Sequence, residues 1–171
     1  MKHRRGFAAL LLAAAGSTAV ALAPAQPASA ATFYTIQNFG SGKCIQPPPA
    51  NSTDIGVQLV QMTCNGSAAQ RWAPISLGGG QYRFLNQSTG GCLDAHGPNA
   101  NKTPVDTWAC NSISNEKWQV TPAIPNSVPA RIVSAIGSRC LDVAGGSPAD
   151  GAPIQIYACT ADNPAQVWLI R

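Results

Sequence analysis

The six cysteines are the residues whose spacing most directly predicts chemistry in this chain. They occur as three successive couples separated by 20, 18 and 19 residues, and the first members of neighbouring couples are 48 residues apart. Six cysteines allow many pairings, but the regular repetition selects pairing within each couple. Each predicted disulfide closes a loop and so stabilises the fold by about 3 kcal/mol in the chain-entropy picture. The predicted disulfides join Cys44 to Cys64, Cys92 to Cys110, and Cys140 to Cys159.

Residues of these types could also form a metal site or a hydrolytic site. No Cys-x-x-Cys occurs, and His96 is the single histidine after residue 30, so neither zinc nor any other metal or cofactor is expected. Asp94 and Asp106 could supply the carboxylate pair of a glycosidase. Acids are few, however, and a lone histidine serves no Ser-His-Asp arrangement. No catalytic residues are therefore predicted, and the chain is not expected to be an enzyme.

The cysteine couples lie in three sequence repeats, at about residues 34–77, 82–123 and 130–171. Each repeat contains one couple and ends near a tryptophan, which is the mark of a repeated supersecondary unit. Large aromatic side chains dominate core burial, so these tryptophans and three apolar residues from the repeat starts are predicted to form the core. The set is Trp72, Trp118, Trp168, Ile36, Phe84 and Ile132.

The secondary structure predicted for each repeat is entirely strands and turns. Polar and apolar residues alternate over 34–38 and 82–86, as in half-buried strands. Proline and glycine recur between the cysteines of each couple, which excludes helices there. Four short strands per repeat predict an all-β domain of about twelve strands. One repeat alone would leave strand edges exposed, so the three must pack together.

The first thirty residues have the pattern of a secretory signal peptide. A basic start is followed by an apolar run over residues 7–23 and by the small-residue site Ala28-Ser29-Ala30. We expect cleavage after Ala30, which leaves residues 31–171 as the mature domain. Export also supplies the oxidising environment in which disulfides form.

The charge of the mature domain argues against an anionic macromolecule as its partner. Residues 31–171 contain eight Lys plus Arg against seven Asp plus Glu, a net charge of +1, although the whole chain carries +4. Nucleic acid is therefore not expected to bind. No amphipathic membrane-binding stretch is visible, so membrane insertion is not expected either.

Three motifs recur in register and carry a resemblance to a known family. They are a Cys-Leu-Asp segment, a Gln-x-aromatic segment two residues before the second cysteine, and Gln-x-Trp. Together they resemble the ricin B-type lectin domain, also called the family-thirteen carbohydrate-binding module, from about Tyr34 to Arg171. The resemblance implies a β-trefoil with pseudo-threefold symmetry and up to three shallow sugar sites. It implies a secreted protein that binds galactose-, mannose- or xylan-type glycans.

The third repeat matches the binding pattern of the family best. The resemblance makes Asp142 the acceptor of two vicinal sugar hydroxyls. It makes Gln155 the amide partner and Tyr157 the platform for the apolar face of the sugar. The family often has asparagine directly before the Gln-x-Trp glutamine, a position held here by Ala165, and Asn163 is expected to substitute.

The second repeat departs from the family pattern while keeping an acid and an aromatic residue. The resemblance assigns ligand contacts to Asp94, Asp106, Trp108 and Asn115. Asp106 stands where glutamine is expected, so it could repel Asp94 or accept further hydroxyls. Glu116 replaces the glutamine of Gln-x-Trp, and His96 could reach the rim of this site.

The first repeat lacks all three ligand-binding residue types. Gln46 stands in place of the acid, Val60 in place of the amide and Met62 in place of the aromatic ring. This repeat is therefore expected to be an inactive scaffold.

Two other functions stay open on the sequence alone. One is a non-sugar interaction protein built on the same scaffold, such as a protease inhibitor or a toxin subunit, which could present the proline-rich segment 47–49. The other is a glycoside hydrolase acting through Asp94 and Asp106.

Overall fold

Short strands account for nearly all regular structure in the computed structural model, which describes residues 31–49, 53–124 and 128–171. The predicted signal peptide lies outside the described residues, and residues 31–171 form one compact unit. The twelve strands are β1 Tyr34–Asn38, β2 Cys44–Gln46, β3 Val60–Met62, β4 Arg71–Gly78, β5 Gln81–Asn86, β6 Cys92–Ala95, β7 Thr103–Trp108, β8 Trp118–Thr121, β9 Arg131–Ser134, β10 Arg139–Val143, β11 Ile154–Ala158 and β12 Trp168–Ile170. The predicted all-β class is confirmed.

Only short 3₁₀ turns interrupt the strands of the described residues. They are Ala68–Gln70, Ser114–Glu116, Ala144–Gly146 and Pro164–Gln166. Three of them precede a strand that contains a tryptophan, and each ends on the first residue of the Gln-x-Trp motif or its equivalent, namely Gln70, Glu116 or Gln166. In the part of the chain that the structure describes, no helix has the length and apolar character needed to cross a membrane.

Six strands, two from each repeat, close into a ring. Antiparallel pairing runs from β1 to β4, β5, β8 and β9 in that order. β12 completes the ring by pairing with β1 and by a bridge between Ala130 and Trp168. Closure removes the exposed strand edges that a single repeat would have, which is why the three repeats fold as one unit.

The other six strands form three hairpins, one per repeat: β2–β3, β6–β7 and β10–β11. The hairpins touch one another pairwise. β7 pairs with β11, Val60 bridges to Pro153, and the backbone N–H of Leu59 donates to the carbonyl of Val105 at 2.8 Å. A closed six-stranded ring with three hairpins related by pseudo-threefold symmetry is a β-trefoil, so the predicted architecture is confirmed.

The core contains the predicted residues, and each of the three tryptophans makes the same type of hydrogen bond. All six predicted core side chains have an exposed fraction of 0%. Indole Nε1 of Trp72, Trp118 and Trp168 donates to the carbonyl of the residue after the first cysteine of the same repeat, at 3.3, 2.9 and 3.0 Å. A buried indole N–H needs an acceptor, and the strand that carries the first cysteine supplies it each time.

The three disulfides have the predicted pairing. Cys44 is bonded to Cys64, Cys92 to Cys110, and Cys140 to Cys159, with Cα–Cα distances of 5.1, 5.2 and 5.1 Å. Each links the first strand of a hairpin to the residues that follow its second strand. The bonds therefore hold the ends of the hairpins that present the candidate site residues.

Buried asparagines at the ends of β1 and β5 tie each repeat to the one before it in the ring. Asn38 Nδ2 donates to the carbonyls of Ala165 and Val167, at 3.1 and 3.2 Å, and its Oδ1 accepts from two turn N–H groups. Asn86 Nδ2 donates in the same way to the carbonyls of Ala69 and Arg71. These amides lock the strand ends of neighbouring repeats together.

A tight turn joins the first and second repeats. β4 continues to Gly78, which pairs with Gln81 across this turn. Gly79 and Gly80 have φ values of 60° and 79°, a conformation that glycine adopts without steric penalty. The glycine run therefore extends strand pairing between the first and second repeats.

Candidate functional site

Asp142 of the third repeat is held by two glutamine side chains. It lies in β10 directly opposite Gln155 in β11, so the two side chains are on the same face of the hairpin. Gln155 Nε2 donates to Asp142 Oδ1 at 2.7 Å, and Gln166 Nε2 donates to Oδ2 at 3.0 Å. Each carboxylate oxygen can accept a second hydrogen bond. The carboxylate is therefore held in place and can still accept from a ligand.

Burial has the largest effect on the pKa of the Asp142 carboxyl. The residue has an exposed fraction of 5%. Burial raises the pKa of its carboxyl above the ordinary value of 3.8, while the hydrogen bonds from Gln155 and Gln166 act in the opposite direction and offset part of the rise. The carboxyl consequently takes up a proton more readily than an exposed aspartate.

An open cavity of about 600 Å³ brings together the four residues predicted for the third repeat, Asp142, Gln155, Tyr157 and Asn163. Tyr157 follows Gln155 by two positions in β11, and so lies on the same face of the strand. Five further residues line the cavity that were not predicted from the sequence: Lys102, Ala144, Gly145, Gly146 and Thr160.

Lys102 reaches this cavity from the second repeat. It lies directly before β7, and its backbone N–H donates to the carbonyl of Ile156 at 3.0 Å. The pairing of β7 with β11 brings the two hairpins together. Comparison of one repeat with another could not identify this residue, because the contact exists only between repeats.

The turn Ala144–Gly146 forms another wall of the cavity. Gly145 has a φ of 65°, where a side chain would be strained. Glycine at this position lets the chain turn sharply after β10. Because glycine has no side chain, this wall of the cavity stays low. The run Ala-Gly-Gly after the acid was the sequence signal that could have indicated it.

Asn163 has a structural role in addition to lining the cavity. Its Oδ1 accepts from the N–H of Ala165 at 3.1 Å and caps the turn Pro164–Gln166. That turn presents Gln166, which in turn holds Asp142. The side-chain Nδ2 lies 3.5 Å from Thr160 Oγ1, at the rim of the same cavity.

In the second repeat, two acids occupy the positions of the acid and the amide. Asp94 in β6 lies directly opposite Asp106 in β7, and both are buried. His96 Nδ1 lies 3.2 Å from Asp106 Oδ2. Asn115 donates a side-chain hydrogen bond to Asp94 and another to the carbonyl of Ala95 at 3.1 Å. The residues predicted for this repeat are therefore neighbours.

Trp108 flanks these acids and is 38% exposed. Its ring contacts His96 edge-on, with centroids 5.1 Å apart. Gly56 of the first repeat packs against the same indole, where an added Cβ would lie 2.7 Å from a ring carbon. The second-repeat surface is thus shaped partly by a loop of the first repeat.

The charges of the second repeat differ from those of the third. Burial raises the pKa of Asp106 to about 6, with His96 lowering it and Asp94 raising it further. Burial also raises the pKa of Asp94, and the neighbouring Glu116 carboxylate adds to the rise. Ligand atoms of Asp94, His96 and Asp106 all lie within 4.8 Å of one another.

Glu116 explains why Asp94 lacks the support that Asp142 has. Gln166 both accepts from the N–H of Thr160 and donates to Asp142. Glu116 accepts from the N–H groups of Asn111 and Ser112, at 2.8 and 2.9 Å. A carboxylate has no proton to donate, so Glu116 holds the loop but not Asp94, whose side-chain donor is Asn115.

The first repeat has no acid at the equivalent position in its hairpin. Gln46 is buried opposite Val60, and its Oε1 accepts from Gln70 Nε2 at 2.7 Å. This amide–amide hydrogen bond corresponds to the one from Gln166 to Asp142 in the third repeat, but the acceptor here carries no charge. Met62 lies opposite Cys44, where the third repeat has Tyr157 opposite Cys140.

Comparison with known proteins gives a family and a fold. The sequence model of the ricin-type beta-trefoil lectin domain matches residues 32–168. The designed threefold-symmetric protein ThreeFoil is 24% identical with a TM-score of 0.74, over 81% of this chain and 96% of that one. A lactose-bound ricin B-like lectin of Macrolepiota procera is 20% identical with a TM-score of 0.68, over 85% and 98%.

An exo-β-1,3-galactanase of Clostridium thermocellum is also similar in structure. It is 28% identical with a TM-score of 0.73, and the match covers 83% of this chain but 30% of the enzyme. No curated protein matches the chain in sequence.

Proposed function

We propose that this chain, which belongs to the ricin-type β-trefoil lectin domain family, binds carbohydrate without catalysis and does so mainly through the third-repeat cavity. The observation that carries the proposal is the Asp142 carboxylate. Two amide donors fix it, and it faces an open cavity shared with Tyr157. An acid, an amide and a ring are the groups that a pyranose requires.

Each of these side chains has a distinct part in the proposed complex. Asp142 accepts from two vicinal hydroxyls, using the acceptor sites that the glutamines leave. Gln155 uses Nε2 on Asp142, so its Oε1 accepts from another hydroxyl. Tyr157 packs against the apolar C–H face of the ring. Lys102 and Asn163, which also line the cavity, donate to further hydroxyls.

The three repeats contribute unequally in this proposal. Trp108 and Asn115, with Asp94 and Asp106, give the second repeat a second contact point for a long glycan. The first repeat, in which Gln46 replaces the acid, serves as scaffold. Two weak contacts on one rigid domain retain a polymer better than a free monosaccharide, because the second binding event is intramolecular.

We further propose that the protein acts outside the cell. The signal-peptide pattern of residues 1–30 supports this, and three disulfides are compatible with an oxidising compartment. Glycans of cell surfaces or extracellular polymers are then the accessible ligands.

The decisive experiment measures retention of residues 31–171 on a glycan array and on insoluble polysaccharides. Galactose-containing ligands should be tested first, because a galactanase and a lactose-bound lectin are among the similar structures. Absence of retention on every glycan would refute the proposal. Release of reducing sugar from any polymer by the purified protein would refute its non-catalytic part.

Truncation of the aromatic platform is expected to weaken binding while leaving the fold intact. Tyr157→Ala removes the ring that packs on the sugar, a contact of about 1 kcal/mol or more, which is roughly a 5- to 10-fold loss of affinity. Tyr157 is only partly buried, so the midpoint of thermal unfolding should change little. Tyr157→Phe keeps the ring and is the matched control; equal loss in both variants would contradict stacking.

Carbohydrate binding by the third repeat is expected to weaken in acid. The pKa of Asp142 is raised by burial, so binding is present above that pKa and is lost as the pH falls through it, earlier than for an exposed aspartate. Retention measured from neutral pH to about pH 4 should fall, and a flat profile would contradict the role of Asp142.

A further inference from the structure

The second repeat has a cluster of three side chains of metal-ligand type, of which the carbohydrate proposal uses only the two acids. Asp94 and Asp106 are cross-strand partners, and His96 follows Asp94 by two positions. One ligand atom from each lies within 4.8 Å of the other two. The ligand atoms of tetrahedral zinc are about 3.4 Å apart at ordinary zinc–ligand bond lengths, so a small inward shift of the half-exposed His96 would complete such a site.

One buried carboxylate oxygen of this cluster has no hydrogen-bond partner among the described residues. Asp106 is 3% exposed, and its Oδ1 has no hydrogen-bond partner among the described residues. Its Oδ2 lies next to His96 Nδ1, at 3.2 Å. A buried polar atom left without a partner is unfavourable by about 1–3 kcal/mol, and a bound cation would satisfy it.

Comparison with the third repeat isolates what is different here. Asp142 accepts hydrogen bonds from Gln155 and Gln166, whereas the equivalent positions around Asp94 are Asp106 and Glu116. The two amide donors have become two carboxylates. Arg83 lies 4.0 Å from Glu116, and no lysine or arginine of the described residues forms an ion pair with Asp94 or Asp106. The basic side chain next to Asp106 is the imidazole of His96, at 3.2 Å.

We infer that Asp94, His96 and Asp106 form a binding site for a divalent transition-metal ion, with zinc as the reference ion. One imidazole nitrogen and two carboxylate oxygens form a donor set that suits zinc and its neighbours in the first transition row. Calcium and magnesium favour sites built from oxygen alone. Three protein ligands leave at least one position on the ion open to water or to a hydroxyl of a ligand.

A metal site was not predicted from the sequence, because the chain has no Cys-x-x-Cys and only one histidine after residue 30. All six cysteines are in disulfides, and they contribute nothing to this site. The hairpin register places Asp106 opposite Asp94, and this pairing supplies the oxygen ligands instead.

Zinc binding can be tested directly on residues 31–171 without a polyhistidine tag. This segment contains all twelve strands and all three disulfides and forms a compact unit. Titration calorimetry with Zn²⁺ should show one site per chain, and Co²⁺ should give visible d–d absorption. Ca²⁺ at the same concentrations should give neither signal. No glycan is present, so the result is independent of the carbohydrate proposal.

Two variants and one matched control make the test specific. His96→Ala alters a half-exposed side chain, and Asp106→Asn keeps the shape of the acid; each should weaken Zn²⁺ binding by at least about 10-fold. Asp162→Asn, which neutralises an exposed acid of the third repeat, should bind as the parent protein does. Tryptophan fluorescence verifies that each variant is folded.

Three results would overturn the inference. They are no Zn²⁺ binding by the parent protein, Zn²⁺ binding that survives both substitutions, and cobalt absorption that is unchanged in His96→Ala. The first would leave Asp94 and Asp106 sharing a proton; the other two would place the metal elsewhere.

Discussion

Asp142→Asn is expected to abolish glycan retention by the third repeat. The substitution removes the charge that accepts from the vicinal hydroxyls, and hydrogen bonds to a charged group contribute about 1.5–3 kcal/mol each. Loss of about 2–4 kcal/mol corresponds to a decrease in affinity of roughly 30- to 1000-fold. Calorimetry with a soluble oligosaccharide chosen from the array would measure it.

The fold is expected to survive this substitution, which makes the result interpretable. The first repeat already has a buried amide in this position, since Gln46 accepts from Gln70 at 2.7 Å. Asparagine can accept from Gln166 in the same way. Asp150→Asn is the matched control, because Asp150 is an exposed acid of the same repeat that pairs with Lys43 at 2.7 Å. Equal loss of retention in both variants would contradict a specific role for Asp142.

Trp168→Ala is expected to produce the largest loss of stability. Trp168 is fully buried, and its indole N–H satisfies the carbonyl of Leu141 at 3.0 Å. Truncation creates a cavity and leaves that acceptor without its partner, so the free energy of unfolding should fall by about 3–5 kcal/mol. Denaturant unfolding with the disulfides intact, followed by circular dichroism, measures the change.

Trp108→Ala is the matched control for this prediction. Its side chain is 38% exposed and lies on the hairpin surface beside Gly56 and His96. Less apolar area leaves the water when it folds, so truncation should lower the free energy of unfolding by about 1 kcal/mol or somewhat more. Equal decreases in the free energy of unfolding for the two variants would contradict the prediction that the buried tryptophan contributes more to stability than the exposed one.

The three repeats show that fold and binding make separable demands on one sequence pattern. Every repeat keeps a tryptophan that donates to the hairpin strand and a disulfide across the hairpin. The residues opposite each other on the hairpin face differ: Gln46 with Val60, Asp94 with Asp106, and Asp142 with Gln155. Closing the ring constrains the first set, whereas the second set differs from one repeat to the next without loss of the fold.

Much of this protein follows from the sequence because the repeat spacing encodes strand register. Pairing of the cysteines and burial of the tryptophans were predicted correctly from the repeats, and the β-trefoil was predicted correctly from the family resemblance. The proximity of Asp142, Gln155 and Tyr157 was also predictable, since residues two apart on a strand share a face and cross-strand partners lie together.

Contacts between repeats and the effects of single substitutions were decided by the tertiary structure alone. Lys102 enters the third-repeat cavity because β7 pairs with β11, a contact with no periodic signal in the sequence. Glu116 satisfies backbone N–H groups instead of supporting Asp94, and Asp106 is left with an unpartnered oxygen. Spacing specifies which residues share a face, whereas hydrogen-bond partners depend on how loops from different repeats meet in space.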